Sequence, residues 1–417
     1  MANLIPIIGR LFNSPVGKYS AVNGFTKLLP FLVSIILASI MSPSQYGKVA
    51  LVIVVSSVVG TLINYGFQVL VARESHVSSR ERFSELMSSS WVVSAIMLTI
   101  VMTVVLLFGQ SLSWIGLGQE LLVGSVVLGF LLGRIDVFSK YLVAQQRVRD
   151  FSVLELCKGI ATALTSIILV YAFLDHTVLA RIAGLLVGAT IAFFLACYFV
   201  KKQVIIFRSR IKYIRWIFDY GTKVLPQVIS NWIKLGADKI IIGSLIGLEA
   251  LGAYSFTFTV CSLYMIFGKA LNNAYIGPCI SMYKSGDLEG VASVRIRYII
   301  NATALVLICY IGVTLLSLVY WPDGYQTSEM VMGLLMLSFL AQVVYLLYMK
   351  YFLFSLKMTE LGCLNILAAL IYVALLVLWE AKTLEYVALC FCVYNLSLAF
   401  YVVLRVTHLE KIITMVD

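Results

Sequence analysis

The sequence predicts an all-α integral membrane protein of about twelve transmembrane helices, arranged as two six-helix parallel repeats around a central cavity. Three observations predict it. Hydrophobic residues make up 61% of the 417 and charged residues only 12%, against roughly half and a quarter in a soluble domain. Apolar runs near the roughly 20 residues that cross a bilayer recur twelve times. Lys and Arg crowd into alternate connections between those runs.

The windows fall near 21–41, 49–71, 88–108, 117–143, 152–173, 179–200, 217–245, 251–280, 298–320, 330–354, 361–380 and 384–404. The first two flank the turn Ser42-Pro43; the third is preceded by Arg80 and Arg82, and the fifth by Arg147 and Arg149. The sixth runs into Lys201-Lys202, the seventh follows Arg215, the ninth follows Arg295 and Arg297, and the twelfth stops before Arg405. Tails and connections are too short for a soluble catalytic domain, so any function belongs to the membrane part. Nineteen Lys and Arg lie on one side, including Arg10, Lys18, Arg73, Lys284, Lys357 and Lys411, against only Lys48, Arg181 and Lys382 on the other. That asymmetry predicts both termini in the cytoplasm. Trp114, Trp321 and Trp379 then sit near outer helix ends, where an amphipathic ring prefers the interface.

The net charge of +11 is no sign of nucleic acid, which needs a basic stripe on a soluble fold. Eight cysteines all fall in apolar segments without a CxxC spacing and read as small buried hydrophobes. His76, His176 and His408 lie outside the windows, so neither a metal site nor any cofactor is expected. Residues 1–18 lack the apolar core of a cleavable signal. There is no GxxxxGK[ST] loop to hold a nucleotide.

The basic stretch 201–216 divides the chain into lobes 1–200 and 217–417. Ile35-Ile36-Leu37 and Gln45-Tyr46-Gly47 recur 205 positions later as Ile240-Ile241-Ile242 and Ala250-Leu251-Gly252. A second echo, Thr26 to Pro30 against Thr222 to Pro226, has a different offset and is taken as chance. An even number of spans per lobe makes the repeats parallel, and transporters built so bind substrate between the halves. Pro30, Pro226 and Gly277-Pro278 are expected to interrupt their helices.

Nine basic residues remain once those of the two sides are counted, and Asp136, Glu155 and Asp238 accompany them. A mid-bilayer charge costs from about 2.5 kcal/mol upward. Asp136 with Lys140, Lys234 with Asp238, and Glu155 with Lys158 have the spacing to neutralise one another on a helix face. Lys140, Lys223 and Lys350 are close enough to the cytoplasmic interface to snorkel. Lys27, Arg134, Lys239 and Lys269 have no such escape. The expected cationic site therefore comprises Lys27, Arg134, Lys158, Lys234, Lys239 and Lys269, with Asp136 and Asp238 in helix pairing or coupling. Trp232 is within stacking reach of a sugar but reads first as a core tryptophan.

Two stretches carry a resemblance. Residues 31–74, from Leu37-Ala38 through Ser42-Pro43-Ser44-Gln45-Tyr46-Gly47 to Val71-Ala72-Arg73-Glu74, resemble the first two helices of polysaccharide exporters in the multidrug/oligosaccharidyl-lipid/polysaccharide superfamily. Residues 225–254, from Leu225-Pro226 through Asp238-Lys239 to Gly252-Ala253-Tyr254, resemble its seventh helix and the turn into the eighth. Within that superfamily the chain is most similar to O-antigen flippases of the Wzx type.

The resemblance implies a flippase, not an enzyme, that moves an undecaprenyl-pyrophosphate-linked oligosaccharide across a bacterial inner membrane for lipopolysaccharide biosynthesis. Independently, a cationic cavity suits a pyrophosphate, while the lipid tail stays among membrane lipid. Whether protons, sodium or the membrane potential drives it stays open, as does a need for polymerase and chain-length partners. One rival is a cation-coupled multidrug exporter of the same superfamily, though basic residues outnumber acids in the windows. The other is a membrane-embedded O-antigen polymerase, though the outer connections are short.

Overall fold

In the computed structural model, which describes residues 15–111, 114, 116–201, 209–354, 358–378 and 383–416, the backbone is helical between short turns. Fourteen helices follow in chain order among the described residues. They are α1 Pro15–Ala38, α2 Pro43–Asn64, α3 Phe67–Val77, α4 Arg80–Phe108, α5 Gln119–Ala144, α6 Val148–Ala172 and α7 Thr177–Val200. Then come α8 Ile211–Ile241, α9 Leu248–Cys261, α10 Leu263–Ser285, α11 Leu288–Val319, α12 Glu329–Phe354, α13 Met358–Leu378 and α14 Leu384–Val416.

Every expected window lies on this series. Among the described residues ten stretches are long and apolar enough to cross a membrane, α9 and α10 counting together as Leu248–Tyr283. The other two windows fall on α1, whose apolar part is the shorter Leu28–Ala38, and on α8, which carries Lys234, Asp238 and Lys239. Trp114 is exposed; Trp379 and Lys382 lie outside the described residues.

Local chemistry sets the helix ends. The Ser42-Pro43-Ser44-Gln45 turn is a capping box: Gln45 N–H donates to Ser42 Oγ at 3.3 Å and Ser42 N–H to Gln45 Oε1 at 2.9 Å. Proline follows at the first helical position, where its missing N–H costs nothing. Ser79 and Asp287 cap α4 and α11 with one bond each and no reciprocal partner, accepting from the Arg82 and Gly290 backbone N–H.

The helix interruptions are not at the prolines. α1 continues through Pro30 and α10 through Pro278; the backbone of α8 is helical across position 226, whose side chain lies outside the described ones. The second window instead breaks between α2 and α3, where Tyr65 has φ 46° and Gly66 φ 78°. Those left-handed values end the i→i−4 ladder more firmly than a single missing N–H. The eighth window breaks at Ser262, between α9 and α10.

The chain forms two compact units, Met1–Gly252 and Ala253–Asp417. This division places α8 with the preceding helices, since α8 packs on α4 and α2. It does not coincide with the lobes drawn at the basic connector, which remain a proposal about which helices move together.

In the first unit α2 packs closely on α5, and α6 on α7. A Cβ on Gly60 would lie 2.6 Å from Gly129 O, and one on Gly129 would lie 2.6 Å from Ser56 O. Small residues of this kind let helices gain van der Waals contact where lipid removes the hydrophobic drive. The internal repeat is a physical contact here as well. Gly47 lies against the Leu248 carbonyl, and Gly252 against the Pro43 carbonyl. Both pairs are related by the same offset of 205, so the two copies of the turn meet reciprocally at their glycines.

In the second unit α12 packs on α10, α11 and α14 around Tyr254, Leu335, Val343 and Phe391. Asn395 Nδ2 donates to Ser338 Oγ at 2.8 Å inside this core. The stripe Ile296, Ile300, Leu307, Ile311 and Leu315 of α11 is exposed. Apolar exposure at helical spacing suits a face turned to hydrocarbon rather than to water.

Candidate functional site

α8 is the most charged of the described membrane helices, and the structure buries the charges near its end, Asp238 and Lys239, while leaving Lys212, Arg215 and Lys223 exposed. Asp238 is fully buried; it accepts the Lys239 backbone N–H at 2.8 Å and faces the Lys239 ammonium at 3.6 Å. Lys239 is itself 9% exposed. Lys234, one turn earlier, is half-buried, and so is Trp232, whose indole N–H has no acceptor among the described residues. A carboxylate and an ammonium on one buried turn reduce each other's desolvation, and removing either leaves an uncompensated charge.

The same helix passes the break between α2 and α3. Gly221 of α8 lies against the Tyr65 carbonyl, and Tyr65 OH is 3.2 Å from Thr222 Oγ1. Flanking the break, Asn64 Oδ1 and Gln68 Oε1 are buried without a donor among the described residues. Such orphaned acceptors cost about 1–3 kcal/mol each, and a broken membrane helix with unsatisfied polar groups is how transporters commonly present a binding surface.

In the second unit α10 carries Lys269, which is exposed, and Asn272, which is 5% exposed with no donor to Oδ1 among the described residues. The offset of 205 relates Asn64 to Lys269 and Gln68 to Asn273. Both copies thus place polar side chains one turn apart on the helix pair that begins at the conserved-spacing glycine turn. Charge counting missed Asn64, Gln68, Asn272 and Asn273. Their signal was the repeat offset itself, applied to uncharged amides inside apolar runs.

The remaining expected residues are dispersed. Arg134 of α5 is 0% exposed. Its guanidinium donates to Ser94 Oγ at 3.2 Å and Ser90 Oγ at 3.3 Å, and lies 4.1 Å from the Trp91 ring centre and 5.4 Å from that of Phe138. In this structure it has no opening toward a ligand. Asp136, also on α5, is exposed and pairs with Lys140 at 3.0 Å. Lys158 of α6 is paired with Glu155, which also accepts from Ser139 Oγ at 2.8 Å. The side chain of Lys27 lies outside the described ones, although its turn of α1 packs on α6 beside Gly159. Arg181, counted above with the outer connections, is buried in α7 with Nε and Nη1 lacking acceptors among the described residues. No group of three or more His, Cys, Asp or Glu with the geometry of a metal site occurs among the described residues.

The family described as polysaccharide biosynthesis protein matches residues 16–284. No curated protein matches the chain in sequence. Among solved structures, an inward-facing multidrug resistance MATE family transporter of the MOP superfamily aligns with TM-score 0.72 and 13% identity, covering 93% of this chain and 96% of that one. The lipid II flippase MurJ in an inward closed conformation aligns with TM-score 0.75 and 11% identity, covering 93% and 87%. At such identities the likeness is one of fold.

Proposed function

The chain belongs to the polysaccharide biosynthesis protein family, within the multidrug/oligosaccharidyl-lipid/polysaccharide superfamily, and from that premise we propose that it is a lipid-linked oligosaccharide flippase. Its substrate is an undecaprenyl-pyrophosphate-linked O-antigen repeat unit, carried from the cytoplasmic to the periplasmic leaflet of a bacterial inner membrane. The observation that supports this reading is that each unit carries membrane-embedded cations beside a buried polar group without a described partner, on α8 in the first unit and on α10 in the second. Lys234 and Lys239 lie with Trp232 on α8, and Lys269 with Asn272 on α10. Ammonium groups suit the dense negative charge of a pyrophosphate, and amides and an indole suit sugar hydroxyls. Alternating access, with the lobes 1–200 and 217–417 rocking about the connector, is the mechanism this fold class uses. Both termini are cytoplasmic in this reading, and Asp238 is the proposed point of ion coupling or helix pairing.

The likeness to a MATE transporter supports one alternative, a cation-coupled multidrug exporter. A single assay separates them. In cells lacking the protein, lipid-linked repeat units are probed with a glycan reagent that does not cross the inner membrane. Units protected on the cytoplasmic face are the expected result. Single, unpolymerised units accessible on the periplasmic face would instead indicate a polymerase, and no accumulation would indicate the drug exporter.

A further inference from the structure

At the cytoplasmic end of the first unit, as oriented by the loop charges, a cavity of about 600 Å³ opens between the first turns of α4 and α8. Its position is set by a fixed joint. Arg210 N–H donates to Ser89 Oγ at 3.2 Å, and Arg210 Nη2 meets the buried Glu85 carboxylate at 2.7 Å. That joint pins the start of α8 onto α4 and uses up Glu85, so Glu85 does not neutralise the cations beyond it.

The walls combine charge with aromatic surface. Lys212, Arg215, Trp216 and Asp219 share one face of α8, at helical spacings of three and four. Arg82 of α4 faces them, with its guanidinium 5.9 Å from the Trp216 ring centre. Three cations are set against one lining carboxylate, and Tyr213 completes an aromatic edge. Ile211, on the first turn of α8, is 71% exposed. An exposed isoleucine beside exposed lysine and arginine is unfavourable in water and favourable at a headgroup boundary, where aromatic rings also settle.

We propose that this cavity binds the phosphate headgroup of an anionic phospholipid of the cytoplasmic leaflet. Arg82, Lys212 and Arg215 hold the phosphate, and Trp216, Tyr213 and Ile211 face the glycerol and upper acyl chain. The site is separate from the buried Asp238–Lys239 turn of α8, and it depends on the orientation of the chain, not on the identity of its cargo.

The test uses the full chain in phosphatidylcholine vesicles containing increasing brominated phosphatidylglycerol, whose bromines quench nearby tryptophan. The Trp216→Phe variant isolates the Trp216 contribution. The expected result is preferential quenching of Trp216 by the anionic lipid over brominated phosphatidylcholine. In Lys212→Gln/Arg215→Gln the half-quenching fraction moves up by about 25-fold, fivefold for each cation near a membrane surface. Equal quenching by both lipids, or no shift in the double variant, would overturn the proposal. Relief of quenching by millimolar inorganic pyrophosphate would show a site for free phosphate, and relief by far smaller amounts of polyprenyl pyrophosphate would assign it to the transported lipid; either would overturn the phospholipid assignment.

Discussion

Glu410→Gln tests whether α10, α11 and α14 of the second unit are held together by a desolvated ion pair. Glu410 of α14 accepts from Arg295 Nη1 of α11 at 2.8 Å and from Tyr283 OH of α10 at 2.6 Å. The Arg295 side chain is 6% exposed and that of Glu410 14%, and the guanidinium lies 4.4 Å from the Tyr348 ring centre. An exposed pair would contribute at most about 1 kcal/mol. A buried one, broken from one side, leaves a charge uncompensated and costs about 3–5 kcal/mol. Glu410→Gln keeps the shape and an acceptor for Tyr283 yet strands Arg295, so it should lose about 3–5 kcal/mol. Adding Arg295→Met removes the stranded charge and should restore more than half of that loss. The assay is reversible unfolding of the purified chain in mixed micelles, followed by circular dichroism. A loss under about 1 kcal/mol for the single variant, or a double variant worse than the single, would refute the reasoning.

Three further outcomes are expected. Gly129→Val should lower the folded yield by more than a surface change does, because its Cβ lies 2.6 Å from Ser56 O and 3.0 Å from Gly60 N; overpacking of this kind costs about 1–3 kcal/mol, read as the detergent-extracted fraction that stays monodisperse. Lys269→Gln should leave that yield unchanged and cut export of lipid-linked units about tenfold, as loss of a charge-assisted hydrogen bond to substrate would, measured by the leaflet assay. Arg134→Met should remain as well folded as the parent, because losing the stacking on Trp91 is offset by no longer burying an unpaired guanidinium; Arg134→Ala, which leaves a void, should not.

The sequence by itself determined class, spans and repeat, because these depend on local quantities. A membrane helix satisfies its own backbone within about 20 residues, so each window could be read without knowing its neighbours, and the Ser42 capping box closes within one turn. The offset of 205 was legible as pattern, although only the structure shows that Gly47 and Gly252 meet across it. What tertiary structure decided is which polar groups are spent. Arg134 and Lys269 looked alike as lone charges in apolar runs, yet the serines and rings of α4 and α5 enclose the first and leave the second exposed. The break at Tyr65 and Gly66 was invisible beside the obvious prolines, since Gly221 of a helix far along the chain packs against it. Enclosure and helix crossing depend on distances between segments remote in sequence, and no periodicity within one segment encodes them.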